Sequence, residues 1–154
     1  MIIKPKDYCA APDELAKNPN AFPRMQRIAN GNEEALHFMW IFWNFTHCYD
    51  DLVDRDKPVS QDAAVRALAD MFTELTYNQF WLRNSIALHA FFIQALNRWI
   101  AGDAAEKQGS PLAPAIRCGD VDLYMHVAFL CGGYDHMISV SDVRIYDPSP
   151  TDKK

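Results

Sequence analysis

The sequence predicts an all-α protein, a single-domain bundle of four main helices behind an irregular N-terminal arm. Three observations predict it. From Asn32 to Asp56 no glycine or proline interrupts a strongly apolar run. After it, apolar residues recur at helical spacing in three further segments. The remaining glycines and prolines gather between those segments, where chain reversals belong.

Residues 1–31 hold Pro5, Pro12, Pro19 and Pro23 and the turn pairs Asn18-Pro19 and Asn30-Gly31, so they are expected to form the arm, with one helical turn near Asp13–Lys17. Asn32 is an N-cap candidate, and Glu33 and Glu34 suit the positive end of a helix dipole. A helix of roughly 24 residues should follow and stop before Pro58. Ser60 caps the next, expected to reach about Phe80, with apolar positions at Val65, Leu68, Phe72 and Leu75. A third helix is expected from about Asn84 to Ile100, closed by Gly102 as the residue after its C-cap. Residues 102–118 read as the longest internal loop. The fourth helix begins near Asp120 and breaks at Gly132-Gly133, with a helical turn or short helix over Tyr134–Val143. The β-branched content of Ile138–Tyr146 also allows a strand there. Residues 32–146 then form the bundle domain, and 147–154 a disordered tail.

Composition narrows the function. With 154 residues and a 49% hydrophobic fraction, the chain can build a core without disulfides. A net charge of −5 and the absence of a Lys/Arg cluster argue against nucleic-acid binding. The N-terminus lacks the continuous apolar stretch of a secretory signal. The most apolar segment, Ala35 to Tyr49, is interrupted by His37, Asn44 and His47 and falls short of the roughly 20 residues a membrane span needs. Cys9, Cys48, Cys118 and Cys131 form no CxxC pair and read as reduced thiols. A cytoplasmic protein is expected.

The first long helix is apolar nearly all round, so its polar residues need partners. At about 100° per residue, Glu33, His37, Asn44, His47, Asp51 and Asp54 share an arc of roughly 80°. Asp50 points away from Asp51 yet lies one turn from Asp54. Carboxylates so placed repel one another, and a hard cation such as Mg²⁺, with Mn²⁺ as substitute, relieves that repulsion. Asp50, Asp51 and Asp54 are therefore the candidate metal ligands, and Glu33, His37 and His47 the candidate catalytic groups. Set against this, acids near helix ends are often merely solvated, and His37 and Asn44, taken alone, are more often satisfied core residues. His47 fits a ligand, a donor to a ligating carboxylate or a packing histidine. Asp122 and His126, or Asp135 and His136, could complete the site from a facing helix, but ordinary pairing on a helix surface is the more frequent reason for such residues. His89 reads as a core residue.

His47-Cys48-Tyr49-Asp50-Asp51-Leu52-Val53-Asp54 resembles the first aspartate-rich motif of class I isoprenoid synthases. That resemblance implies Asp50 and Asp54 as principal Mg²⁺ ligands for a substrate diphosphate, with Asp51 in support. The chain carries no second aspartate-rich motif and is about half the length of that family. Glu33-Glu34-Ala35-Leu36-His37 followed by Asp51-Leu52-Val53-Asp54 also resembles, in degenerate form, the paired acidic motifs of all-α nucleotide pyrophosphohydrolases of the MazG and dimeric dUTPase type. There the two motifs lie on different helices. Both resemblances imply Mg²⁺ bridging helix carboxylates to a diphosphate. The sequence thus leads to a divalent-metal-dependent enzyme or binder of a diphosphate-containing nucleotide or prenyl compound. The alternative is a non-enzymatic helical protein that binds a partner protein or pairs as a homodimer, its four Trp, nine Phe and six Tyr supplying anchors.

Overall fold

The computed structural model describes residues 20–55 and 58–142, and every regular element among them is a helix. In chain order these are α1 (Ala21–Ala29), α2 (Glu33–Asp54), α3 (Gln61–Phe72), α4 (Glu74–Tyr77), α5 (Gln79–Lys107), α6 (Ala113–Arg117) and α7 (Gly119–Ser139). The expected turn at Asp13–Lys17, Cys9, the 143–146 part of the possible strand and the tail 147–154 lie outside the described residues.

α2 starts where its sequence says it should. The Asn32 side chain accepts from the Ala35 amide at 3.0 Å, and Glu33 and Glu34 occupy the first turn. Its middle is sealed: Phe38 through Asn44 are all buried. Phe38 meets Phe80 and Trp81 of α5, Phe42 meets Phe92 of α5 and Tyr124 of α7, and Trp40 takes an edge contact from Phe22 of α1. A helix apolar on every side needs cover on every side, and α1, α3, α5 and α7 supply it.

Several boundaries differ from expectation. Residues 21–29, read as part of an irregular arm, form α1 and send Ala21, Met25, Ile28 and Ala29 into the core. Pro23 is compatible because it lies in the first turn, where a missing N–H forfeits no intrahelical bond. The segment after Ser60 breaks at Thr73 and again at Asn78, so it does not run to Phe80. Asn78 caps α5 by accepting from the Trp81 amide at 2.8 Å, and its Nδ2 donates to the Glu34 carbonyl at 2.8 Å. α5 therefore starts five residues earlier than expected and runs straight through Gly102. That glycine is a contact point: a Cβ there would overlap the Arg117 side chain of α6. The break at Gly132-Gly133 is present as a kink, with Gly133 at φ 75°, ψ −168° inside α7. Ile138 and Ser139 close that helix, so the described start of the possible strand is helical.

α3 presents the largest departure. Of its expected apolar positions and their continuation, only Leu75 is buried; Val65 and Leu68 are exposed and Phe72 is 75% exposed. The side turned towards α2 is built from Ala67 and the half-buried Ala63, Ala64 and Met71. Apart from Met71, small residues face inward and the large apolar ones outward.

Close packing of α7 on α5 rests on Gly119, where a Cβ would stand 2.9 Å from the Ala95 Cα and 3.0 Å from the Arg98 Cβ. Gly119→Ala is expected to cost about 1–3 kcal/mol through that overlap. Urea unfolding followed by tryptophan fluorescence measures it, and an unchanged midpoint would show the two helices to be less tightly apposed.

Candidate functional site

The polar line on α2 is continuous in sequence but not in space. Glu33 and Asp54 sit at opposite ends of the helix, about 31 Å apart at 1.5 Å per residue. The six candidate residues divide among three neighbourhoods.

At the start of α2, Glu33 is exposed. Glu34 accepts from the Gln79 amide at 2.9 Å and, with the Asn78 bond, ties α2 to the α4–α5 junction. His37 is half-buried nearby, and burial lowers its pKa more than the fields of Glu74 and Glu34 raise it. His37 stands about 20 Å along the helix from Asp50 and does not join the aspartates.

In the middle, Asn44 is buried and its Nδ2 finds no hydrogen-bond partner among the described residues. His47 donates through Nδ1 to the Trp43 carbonyl at 2.9 Å, its ring 4.2 Å from that indole. Across the helix interface stands Asp120 of α7. Burial pushes the Asp120 carboxyl above its ordinary range, opposed by the amides of Val121 and Asp120 itself and by the charges of His47 and Arg98. One turn on, Tyr124 is buried, and desolvation with the Asp120 charge drives its hydroxyl well above the usual value. This His47–Asp120–Tyr124 group was not singled out in the sequence. The sequence signal would have been Asp120 and Tyr124 four apart, on one face of α7.

At the end of α2 the three aspartates diverge. Asp50 accepts from the Trp99 indole N–H at 2.7 Å. Asp51 turns inward, is buried, and its charge helps burial raise the Cys48 thiol. Asp54 is exposed, and its carboxyl is raised by desolvation and by Asp50 and Asp103, against the lowering effect of Arg117 and Lys107. Asp103 itself is held below the usual carboxylate range, first by the Lys107 ammonium at 2.8 Å and also by Arg117. Arg117 pairs in addition with Glu106. Basic side chains of α5 and α6 thus answer the acidic end of α2. Among the described residues no three His, Cys, Asp or Glu side chains stand together as a metal-holding group. Asp50 and Asp54, one turn apart, stay close enough for the Asp50 charge to act on Asp54, while Asp51, about 100° from Asp50, is buried.

The facing-helix candidates are engaged elsewhere. Asp122 pairs with Arg98 and accepts from Gln94, while the His126 ring stacks on Phe91 at 4.3 Å. His136 donates to the Ile28 carbonyl at 3.0 Å, and Asp135 is exposed. His89, read as core, is exposed. Cys48, Cys118 and Cys131 are free thiols, with Cys131 pushed up to about 11 by burial. No helix among the described residues is long and apolar enough to cross a membrane. Compared with known proteins, the chain matches no family model, no curated protein and no solved structure.

Two variants probe these neighbourhoods. Trp99→Phe is expected to lose about 1 kcal/mol with the bond to Asp50, and a double-mutant cycle with Asp50→Asn should show coupling of that order. Additive losses would deny the bond any role. For Asp120, the folded-state pKa lies above the unfolded value. Its contribution is therefore most favourable below the unfolded pKa and is lost as pH rises through the folded one. Asp120→Asn should raise Tm at pH 7 and bring a smaller gain at pH 4; a uniform shift would place the effect in packing.

Proposed function

We propose that this protein works by associating with protein, not by chemistry on a small molecule. The observation that carries this reading is the inverted helix α3, which hides alanines and displays Val65, Leu68 and Phe72 at i, i+3 and i+7. In an isolated domain such a stripe normally faces the core. Large apolar residues gathered on one exposed face mark an interaction surface. α5 adds a second uncovered face, on which Ile86 is 94% exposed. The finer architecture we infer is one bundle domain organised by α2, α5 and α7, with α3 applied to its side. It serves as a rigid support for those faces.

A second reading keeps the divalent cation. It is favoured by Asp54, whose carboxyl is raised by desolvation and then by the nearby charges of Asp50 and Asp103. Mg²⁺ or Mn²⁺ bound there would relieve that repulsion and present a diphosphate to solvent. Lys107 and Arg117 already answer part of the same charge, so association is the stronger reading.

Thermal unfolding separates the two. Mg²⁺ with pyrophosphate is expected to leave Tm unchanged, whereas a ligand at 100 times its Kd would raise it by about 5–10 °C. A rise of that size, abolished by Asp51→Ala with Asp54→Ala, would overturn the association reading in favour of the metal. Independently, Phe72→Glu should cost no more than about 0.5 kcal/mol while reducing binding of a hydrophobic dye to the native protein. A loss of several kcal/mol would mean that the chain itself covers this face.

A further inference from the structure

α5 is apolar on two opposite sides, and both sides repeat every seven residues. The inner repeat is Leu88, Ala95 and Gly102, all buried against the rest of the fold. The outer repeat is Leu82, Ile86, His89, Ile93, Leu96 and Ile100, spaced 4, 3, 4, 3, 4. Ile86 is 94% exposed, and Leu82, Ile93 and Ile100 lie between 45% and 51%. An average spacing of 3.5 residues is the period at which two helices wound around each other keep one seam in contact.

We propose that the outer face of α5 is the seam of a two-stranded coiled coil between two copies of this chain. The proposal deepens the association reading and depends on it. Two features of the seam point to a second copy and not to a different partner. Ile86, Ile93 and Ile100 occupy every a position in it, and Leu82 and Leu96 two of the three d positions. That is the β-branched a, leucine d combination favouring paired strands. The residues bordering it at e and g, Arg83, Ser85, Ala90, Phe92, Asn97 and Trp99, carry one charge in all. They offer no acid–base code to select a different chain and no like-charge run to repel an identical one.

His89 is the one polar member of the seam, at its central d position. In an in-register pair the two His89 side chains share a layer. A lone polar layer fixes register at a cost in affinity. The seam spans about 27 Å, from Leu82 to Ile100. An interface of that length is small, so a micromolar dimer is expected.

Sedimentation equilibrium of the full chain from about 5 to 200 µM tests this. The wild type is expected to pass from monomer to dimer across that range. Ile86→Glu with Ile93→Glu should weaken the dimer by at least about 100-fold, and circular dichroism should show helicity unchanged because both residues point outward. His89→Leu should tighten it by about 10-fold through removal of the polar layer. That gain cannot come from misfolding. A monomer at every concentration, for the wild type and the His89→Leu variant alike, would overturn the proposal. If the Phe72 face still bound dye in that case, the association reading would stand. A dimer indifferent to both α5 variants would place the interface elsewhere, again sinking the seam and sparing association. If the doubly substituted protein loses helicity, the chain itself covers this face of α5 and the seam does not exist.

Discussion

Burial of the aromatic middle of α2 is the constraint on which the arrangement depends. Phe38, Met39, Trp40, Ile41, Phe42 and Trp43 follow one another without a polar gap, so every direction around the helix axis carries a large apolar side chain. Burying each such side chain fully contributes roughly 1.5–3 kcal/mol. No single neighbour can bury six residues that point all ways. The core is accordingly a shell around α2, with Phe22 and Met25 from α1, Phe80, Leu88 and Phe92 from α5, and Leu123, Tyr124 and Val127 from α7.

That shell governs what the polar residues of α2 can do. A polar atom on a surrounded helix either reaches an end, where water or a salt bridge meets it, or finds a fixed partner inside. Glu34 and Asp50 follow the first course and become struts, one to the Asn78 junction and one to Trp99. His47 follows the second, bonded to its own helix and facing the Asp120 charge. The polar line therefore acts as a set of joints holding α2 to α5 and α7. The acids at the negative end of its dipole are offset by Lys107 and Arg117, which resolves a conflict visible in the sequence.

Because α2 dominates the core, other helices have apolar residues to spare. α3 approaches α2 through alanines and Met71, and Val65, Leu68 and Phe72 remain outside. α5 contributes one seven-residue repeat to the core and keeps a second in solvent. Two-sided helices of this kind are the reason that apolar periodicity marks a helix without marking which side is inside.

The all-helical class, the Asn32 and Ser60 caps and the Gly133 kink were determined by the sequence alone. Each rests on local chemistry: a side chain bonding an amide three residues away, or a backbone angle that only glycine adopts readily. α1 and the early start of α5 were hidden because proline in a first turn and asparagine before a helix look alike in loops and at caps. The candidate site was legible only as residue types on one face. A face extends the whole length of a helix, whereas a site is a few ångströms wide. Only the packing of α5, α6 and α7 decided that Asp50 meets an indole, Asp54 lies beside Asp103 and its cations, and His47 faces a half-buried carboxylate. The direction of a helix's second apolar face is likewise a property of its neighbours, since burial depends on what lies opposite and not on the residue itself.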